Sequence, residues 1–335
     1  MNRIWQGALL LTLAPWGLTA CDSGEASAPD ATEAATEVGA DAPAADGPLS
    51  ILTGSKEGNY FKAATELRDI FAASGVDLEI RESPGSFHNI EQLGTGKTDL
   101  AIAQFDTLML YMGMDKDRRD MANNAVVLAP LRLEYVHIIS NKQAKIKKLQ
   151  QLAGKKINVG PEHSGSWISA KALMAKLTST NVDTAADVHK LAYKEALAKV
   201  AAGELDAMFV TTTPGMPLLA GVAKKTAKKL ALLSLGDKFT LPKSLEGAYS
   251  VQEIPAKTYP FQKKKVTTLA TPSYLLTSRS QGAQRIAQVA ALVYGKSAQL
   301  KQKSSLWQNV STEAAKREIA NDIPYHDGVK KHLGL

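Results

Sequence analysis

The sequence predicts an α/β protein of two similar lobes, and two internal matches carry that prediction. Residues 155 to 177 (KKINVGPEHSGSWISAKALMAKL) read as a short strand at Ile157 and Val159, a loop opening at Gly160 and Pro161, and a helix beginning near Ser164 to Ser166. Residues 49 to 71 (LSILTGSKEGNYFKAATELRDIF) repeat that plan, with Gly54 standing 106 positions before Gly160. A second match sets residues 93 to 104 against 200 to 211 at an offset of 107. Each is a helix closed by Gly, a turn carrying Asp, and an apolar strand. Two plans recurring at nearly one offset indicate two related α/β units, whose ligands bind at strand ends facing a cleft.

From the start of the chain, residues 1 to 21 read as a lipoprotein signal peptide. Arg3 supplies the positive n-region and residues 7 to 17 an apolar core too brief to span a bilayer. Leu18-Thr19-Ala20-Cys21 is similar to a bacterial lipobox, which makes Cys21 the lipidated residue and the membrane contact a lipid anchor. Cys21 is the sole cysteine, so no intrachain disulfide forms. Residues 22 to 48 are rich in Ala, Pro and Gly, with seven acids and no base, and read as a disordered acidic tether. These expectations place the protein in the periplasm, anchored through Cys21.

Without those segments the chain keeps 39 of its 40 bases and 26 of its 33 acids, a net charge of about +13. A basic body attracts anionic ligands, lipid headgroups or acidic partners. The lysine clusters at 224–229 and 263–265 read as solvated faces. Low aromatic content and the lack of a nucleic-acid motif argue against a nucleic-acid partner.

The remaining elements follow in order. Residues 76 to 80 read as a strand and 86 to 93 as a helix entered through Pro84-Gly85-Ser86, with Ser86 a candidate N-cap and second oxyanion site. Residues 126 to 140 form a largely apolar run that crosses between lobes, and 266 to 277 the return crossing. In the second unit, 188 to 191 is a strand, 194 to 202 a helix, and Thr211-Thr212-Thr213-Pro214-Gly215 a hydroxyl-rich loop. Residues 231 to 235 are a further strand. Residues 281 to 302 read as one long amphipathic helix, and 312 to 319 as another. The expected lobes are residues 49–137 with 265–335, and 138–264.

Catalytic readings fail on spacing. Gly94-Thr95-Gly96-Lys97-Thr98 mimics the end of a phosphate-binding loop, but Glu91 stands where the first Gly is required and the segment leads from helix into strand. Residues 160 to 165 have that spacing, but Ser166 and Trp167 replace the Lys and the hydroxyl residue. No G-x-S-x-G elbow occurs. The six histidines lack ligand spacing, so no metal is expected. The expectation is a binding protein with no enzymatic activity and no cofactor.

Four segments, in order, resemble a known family. Residues 53 to 61 (TGSKEGNYF) are similar to the T-G-G-T-G-G-T-Y-Y opening of TAXI solute-binding proteins of tripartite ATP-independent periplasmic (TRAP) transporters. Residues 134–139 (EYVHII), 254–260 (IPAKTYP) and 323–328 (IPYHDG) are similar to later segments of that family. The resemblance implies a two-lobed periplasmic-binding-protein (type II-like) fold with crossing hinge strands and C-terminal helices. It also implies an amino acid such as glutamate, or a small dicarboxylate, as ligand, and delivery to an ion-driven membrane permease. Ser55, Lys56 and Glu57 replace Gly, Thr and Gly of the family opening, and Lys56 is a candidate partner for an extra carboxylate.

The expected mechanism is closure of the lobes over a small anionic solute. Thr53, Gly54, Ser55, Tyr60, Ser86 and Gln104 would serve from one lobe, and Ser164, Gly165, Ser166 and Thr213 from the other. The start of the helix near Ser164 offers unpaired N–H groups to a carboxylate. Micromolar affinity needs about 8 kcal/mol, and charge-assisted hydrogen bonds contribute about 1.5–3 kcal/mol each, so both lobes must contribute. The alternative is a ligand-sensing lipoprotein whose closed form docks on a receptor kinase.

Overall fold

Short apolar runs of the chain become strands whose residues are buried on both faces, as parallel-rich sheets covered by helices require. The computed structural model describes residues 47–185 and 187–335; the signal segment, Cys21 and nearly all of the tether lie outside them. The first sheet contains β1 (Leu49–Leu52), β2 (Leu78–Arg81), β3 (Leu100–Gln104), β4 (Ala125–Pro130) and β12 (Ser273–Ser278), in the order β2-β1-β3-β12-β4. The second contains β5 (Glu134–Asn141), β6 (Ile157–Asn158), β7 (Val188–His189), β8 (Ala207–Thr212), β10 (Ser250–Ile254) and β11 (Val266–Thr271). Their order is β10-β11-β5-β8-β6-β7, with β9 (Leu230–Leu232) also paired to β5.

The duplication read from the sequence is present as topology. In the first lobe β2-β1-β3 are mutually parallel, and in the second β7-β6-β8 are. Each parallel trio is continued by an antiparallel strand, β12 beside β3 and β5 beside β8. The helices α1 (Asn59–Ala72) and α2 (Ser86–Gly94) connect the first trio. Between β3 and β4 run α3 (Phe105–Met112) and α4 (Lys116–Asn124). In the second lobe α5 (Gly165–Leu177) and α6 (Tyr193–Ala202) connect the trio, and the short α7 (Pro217–Ala220) and α8 (Lys224–Ala227) follow.

Strand β8 shows how alternation builds the core. Ala207 and Phe209 pack in one apolar cluster with Ile168, Ala170 and Leu173 of α5. Met208 and Val210 pack in another with Ala196, Leu197 and Val200 of α6. Successive side chains point to opposite faces, so one strand serves both layers.

The chain passes between sheets twice. Residues 131–133 carry β4 into β5, and Pro272 carries β11 into β12. Pro has no N–H to extend the ladder, and its carbonyl accepts from Phe105 N at 2.9 Å. Leu131 N donates to Ser273 O at 2.9 Å, and Ser273 Oγ to Arg132 O at 2.8 Å, so the crossings are bonded to each other. Glu134 to His137 therefore pair within the second sheet, as does β11 from Val266; the exchange falls at 131–133 and 272 rather than at 137/138 and 264/265.

The expected long helix over 281–302 is two helices, α9 (Ala283–Gly295) and α10 (Ser297–Lys303), because Gly295 and the non-helical Lys296 end the first. With α11 (Thr312–Ala320) and α12 (Asp327–His332) they cover the first lobe. Trp307 is fully buried and donates through Nε1 to Glu66 Oε2 of α1 at 2.8 Å. Gly328 lets α12 lie against α9, where a side chain would collide with the Ala283 carbonyl. Among the described residues no helix is long and apolar enough to cross a membrane.

Candidate functional site

A cavity of about 790 Å³ lies between the sheets. Its walls are the loops after β1, β2 and β6, the ends of β3 and β8, and the starts of α1, α2, α5 and α6. These are the carboxyl ends of both parallel trios, where helix N-termini converge and a crevice opens. Of the residues expected at the site, Gly54, Ser55, Tyr60, Ser86, Gln104, Ser164, Gly165 and Ser166 line the cavity.

Thr53 and Thr213 do not. Thr53 is fully buried behind the loop, its Oγ1 donating to Arg81 O at 3.0 Å. Thr213 Oγ1 instead accepts from Asn59 Nδ2 of α1 at 2.7 Å, and Thr212 Oγ1 accepts from the same group at 3.0 Å. That carboxamide ties the lobes together. Lys56 faces Glu82 at 3.7 Å with its side chain 70% exposed, and does not line the cavity.

The serine hydroxyls are largely engaged within the protein. Ser164 is the N-cap of α5, its Oγ accepting from Trp167 N at 3.2 Å. Ser166 Oγ accepts from Thr211 N at 2.8 Å and bonds Tyr193 Oη at 2.8 Å. Ser86 is not the cap of α2; Gly85 is, with φ 128°, a backbone region suited to glycine. Ser86 Oγ accepts from Gln104 N at 3.1 Å. The first-turn amides of α2 are also occupied: Phe87 N and His88 N donate to the His163 carbonyl of the other lobe at 3.2 and 3.4 Å. An oxygen thus does sit at this helix start, but it belongs to the protein, because the lobes meet here.

Other contacts hold the lobes together. Phe87 of α2 stacks on His163 at 5.2 Å and meets Trp167 of α5 edge-on at 5.6 Å. Gly165 touches the Gln104 carboxamide so closely that a Cβ would overlap it.

Glu134 is the central group that the sequence reading left without a role. It is buried, and its Oε2 accepts from Gln104 Nε2 at 3.0 Å. Burial pushes its carboxyl up to about 8. Tyr60 Oη, Gln104 Oε1 and Thr211 Oγ1 are buried atoms of the same wall that find no hydrogen-bond partner among the described residues. Burial, with the Glu134 carboxylate nearby, raises the Tyr60 pKa far beyond the ordinary phenol. The signal for Glu134 was an acid within an otherwise apolar crossing run. Asn59, Tyr193 and Thr211 gave no such signal, since each gains its place only when helix and strand ends meet.

Tyr259 and His326 have structural partners. His137 Nδ1 donates to Tyr135 O at 2.8 Å, which leaves Nε2 to accept from Tyr259 Oη at 2.8 Å; that oxygen accepts from Gly215 N. His326 caps α12, its Nδ1 accepting from Gly328 N at 3.0 Å. Among the described residues no three His, Cys, Asp or Glu are grouped to hold a metal ion.

Two α/β lobes joined by paired crossings, with a cavity at the carboxyl ends of both parallel trios, define the periplasmic-binding-protein fold. The chain belongs to the NMT1-like family, which matches residues 51–333. Solved structures of similar shape include a binding-protein component of an ABC phosphonate transporter from Pseudomonas aeruginosa, at TM-score 0.52 and 14% identity over 82% of this chain and 89% of that one. PhnD1 from Prochlorococcus marinus, in complex with methylphosphonate, is similar at TM-score 0.50 and 12% identity over 82% and 98%. At such identities the likeness concerns the fold. No curated protein matches the sequence at a significant level.

Proposed function

We propose that this protein is an extracytoplasmic solute-binding lipoprotein, tethered through Cys21. It would close two lobes over a small anionic solute, an amino acid such as glutamate or a dicarboxylate, and deliver it to a TRAP-type membrane permease. One observation carries the solute-binding reading: three buried polar atoms without partners, Tyr60 Oη, Gln104 Oε1 and Thr211 Oγ1, belong to one cavity between the lobes. Each such atom costs about 1–3 kcal/mol while unpaired, so a solute that satisfies them is bound in preference to leaving them bare. The start of α5, capped by Ser164 and followed by Gly165 and Ser166 at the cavity wall, is the proposed seat of a carboxylate. The four family-like segments support the TRAP assignment.

Mass spectrometry of small molecules released from natively purified protein tests this reading, followed by thermal shift with each candidate. A released solute that raises the melting temperature in a concentration-dependent manner is expected. Failure of every released or added acid to shift it would remove the proposal.

A further inference from the structure

The polar lining of the cavity is unbalanced. Among the described residues its wall contains one buried carboxyl group, Glu134, which burial keeps protonated until a cation favours its ionised form, while the single basic lining residue, Lys194, is exposed. The other lining carboxylates, Glu57, Glu162 and Glu195, stand at the exposed margin and add to the negative potential. Gln104 Nε2 donates to Glu134 Oε2, which turns Gln104 Oε1 away, against Gly165 and without a donor. A buried carboxyl oxygen and a buried carboxamide oxygen are acceptors that cost free energy until a donor reaches them.

We propose that Glu134, Gln104 Oε1 and Tyr60 Oη form a subsite for a protonated amine, so that the captured solute carries an ammonium group. This rests on the reading of the cavity as the solute site and selects within it. An ammonium offers three donors, one for each of the three oxygens. An acid without an amine leaves the obligate acceptor Gln104 Oε1 without a donor and, among the described residues, finds no buried cation in the wall. Solutes bearing both groups fit: the carboxylate at the start of α5, the nitrogen at Glu134.

Matched probes test the assignment by titration calorimetry on the mature chain. The amino acids are each paired with the acid lacking the amine (glutamate with glutarate, leucine with 4-methylpentanoate), and putrescine supplies an amine without a carboxylate. At least one amine-bearing probe is expected to bind tenfold or more tightly than its amine-free partner. The Glu134→Gln variant should lose tenfold or more for that probe and leave the partner acid within twofold. The wild-type ratio stands as an independent readout should the variant fold poorly. Binding of glutarate or 4-methylpentanoate within twofold of its amino acid would overturn the amine subsite and leave solute capture intact. Binding of no probe and of no component of a deproteinised cell extract would overturn both.

Discussion

Tyr249 Oη donates to Asp106 Oδ2 at 2.6 Å, joining the approach to β10 in the second lobe to the first turn of α3 in the first. Ser169 Oγ of α5 donates to the same oxygen at 2.7 Å, and Thr107 Oγ1 to Oδ1 at 3.2 Å. Burial raises the Asp106 pKa, while the three hydroxyls work against that shift. The cluster lies beside the return crossing, since Asp106 N donates to Thr271 Oγ1 at 3.2 Å. It therefore clasps the lobes near their hinge.

Asp106→Ala strips three buried hydroxyls, those of Tyr249, Ser169 and Thr107, of their acceptor, at about 1–3 kcal/mol for each one left unpaired. Urea unfolding should show that loss, and small-angle scattering should show a larger radius of gyration than in the wild type. An unchanged midpoint with unchanged radius would mean that Asp106 clasps nothing.

At Gly165 of α5 the second lobe touches the Gln104 carboxamide of the first. Gly165→Ala places a Cβ inside the Gln104 carboxamide and close to Ser86 Oγ, so either the carboxamide leaves Glu134 or the lobes part. The expected variant folds and binds the wild-type solute at least tenfold more weakly. Wild-type affinity at the wild-type radius of gyration would contradict the contact.

The pH dependence of stability follows from two buried groups of opposite sign. His137 is held neutral, its pKa lowered to about 4 by burial, so stability is lost as pH falls below the ordinary histidine range. Glu134 is raised by burial from 4.5 to about 8. Its folded state retains a proton that the unfolded chain has released, so stability falls as pH rises through that window. The groups around Glu134 are Tyr60 of α1, Asp106 of α3 and Tyr193 of α6; both phenols are raised and stay neutral here. Between pH 6.5 and 8 Glu134 dominates. Melting temperature should decline over that range in the wild type and stay level in Glu134→Gln.

Tyr259→Phe removes the hydroxyl shared by His137 Nε2 and Gly215 N. The buried His137 Nε2 then loses its donor, for a destabilisation of about 1–3 kcal/mol, while the amide of the exposed Gly215 can turn to water. Tyr259 is outside the cavity between the lobes, so solute affinity should stay within twofold. A tenfold loss of affinity would give Tyr259 a role at the site.

The sequence alone determined the repeated units, since a strand, a Gly loop and a helix leave periodic and conformational marks at each position. It also determined the two crossing runs, 126 to 140 and 266 to 277, and a helix start near Ser164, though not which serine caps it. Tertiary structure alone decided what the hydroxyls do. Ser166 reads as a ligand group in the chain, yet it spends its oxygen on Thr211 N and Tyr193 Oη once β8 and α6 arrive. Glu134 gains its raised pKa, and Gly165 its contact with Gln104, only when the lobes meet. The physical reason is range. Helix and strand preferences are written within a few residues, whereas desolvation and hydrogen-bond competition depend on atoms brought together from distant parts of the chain.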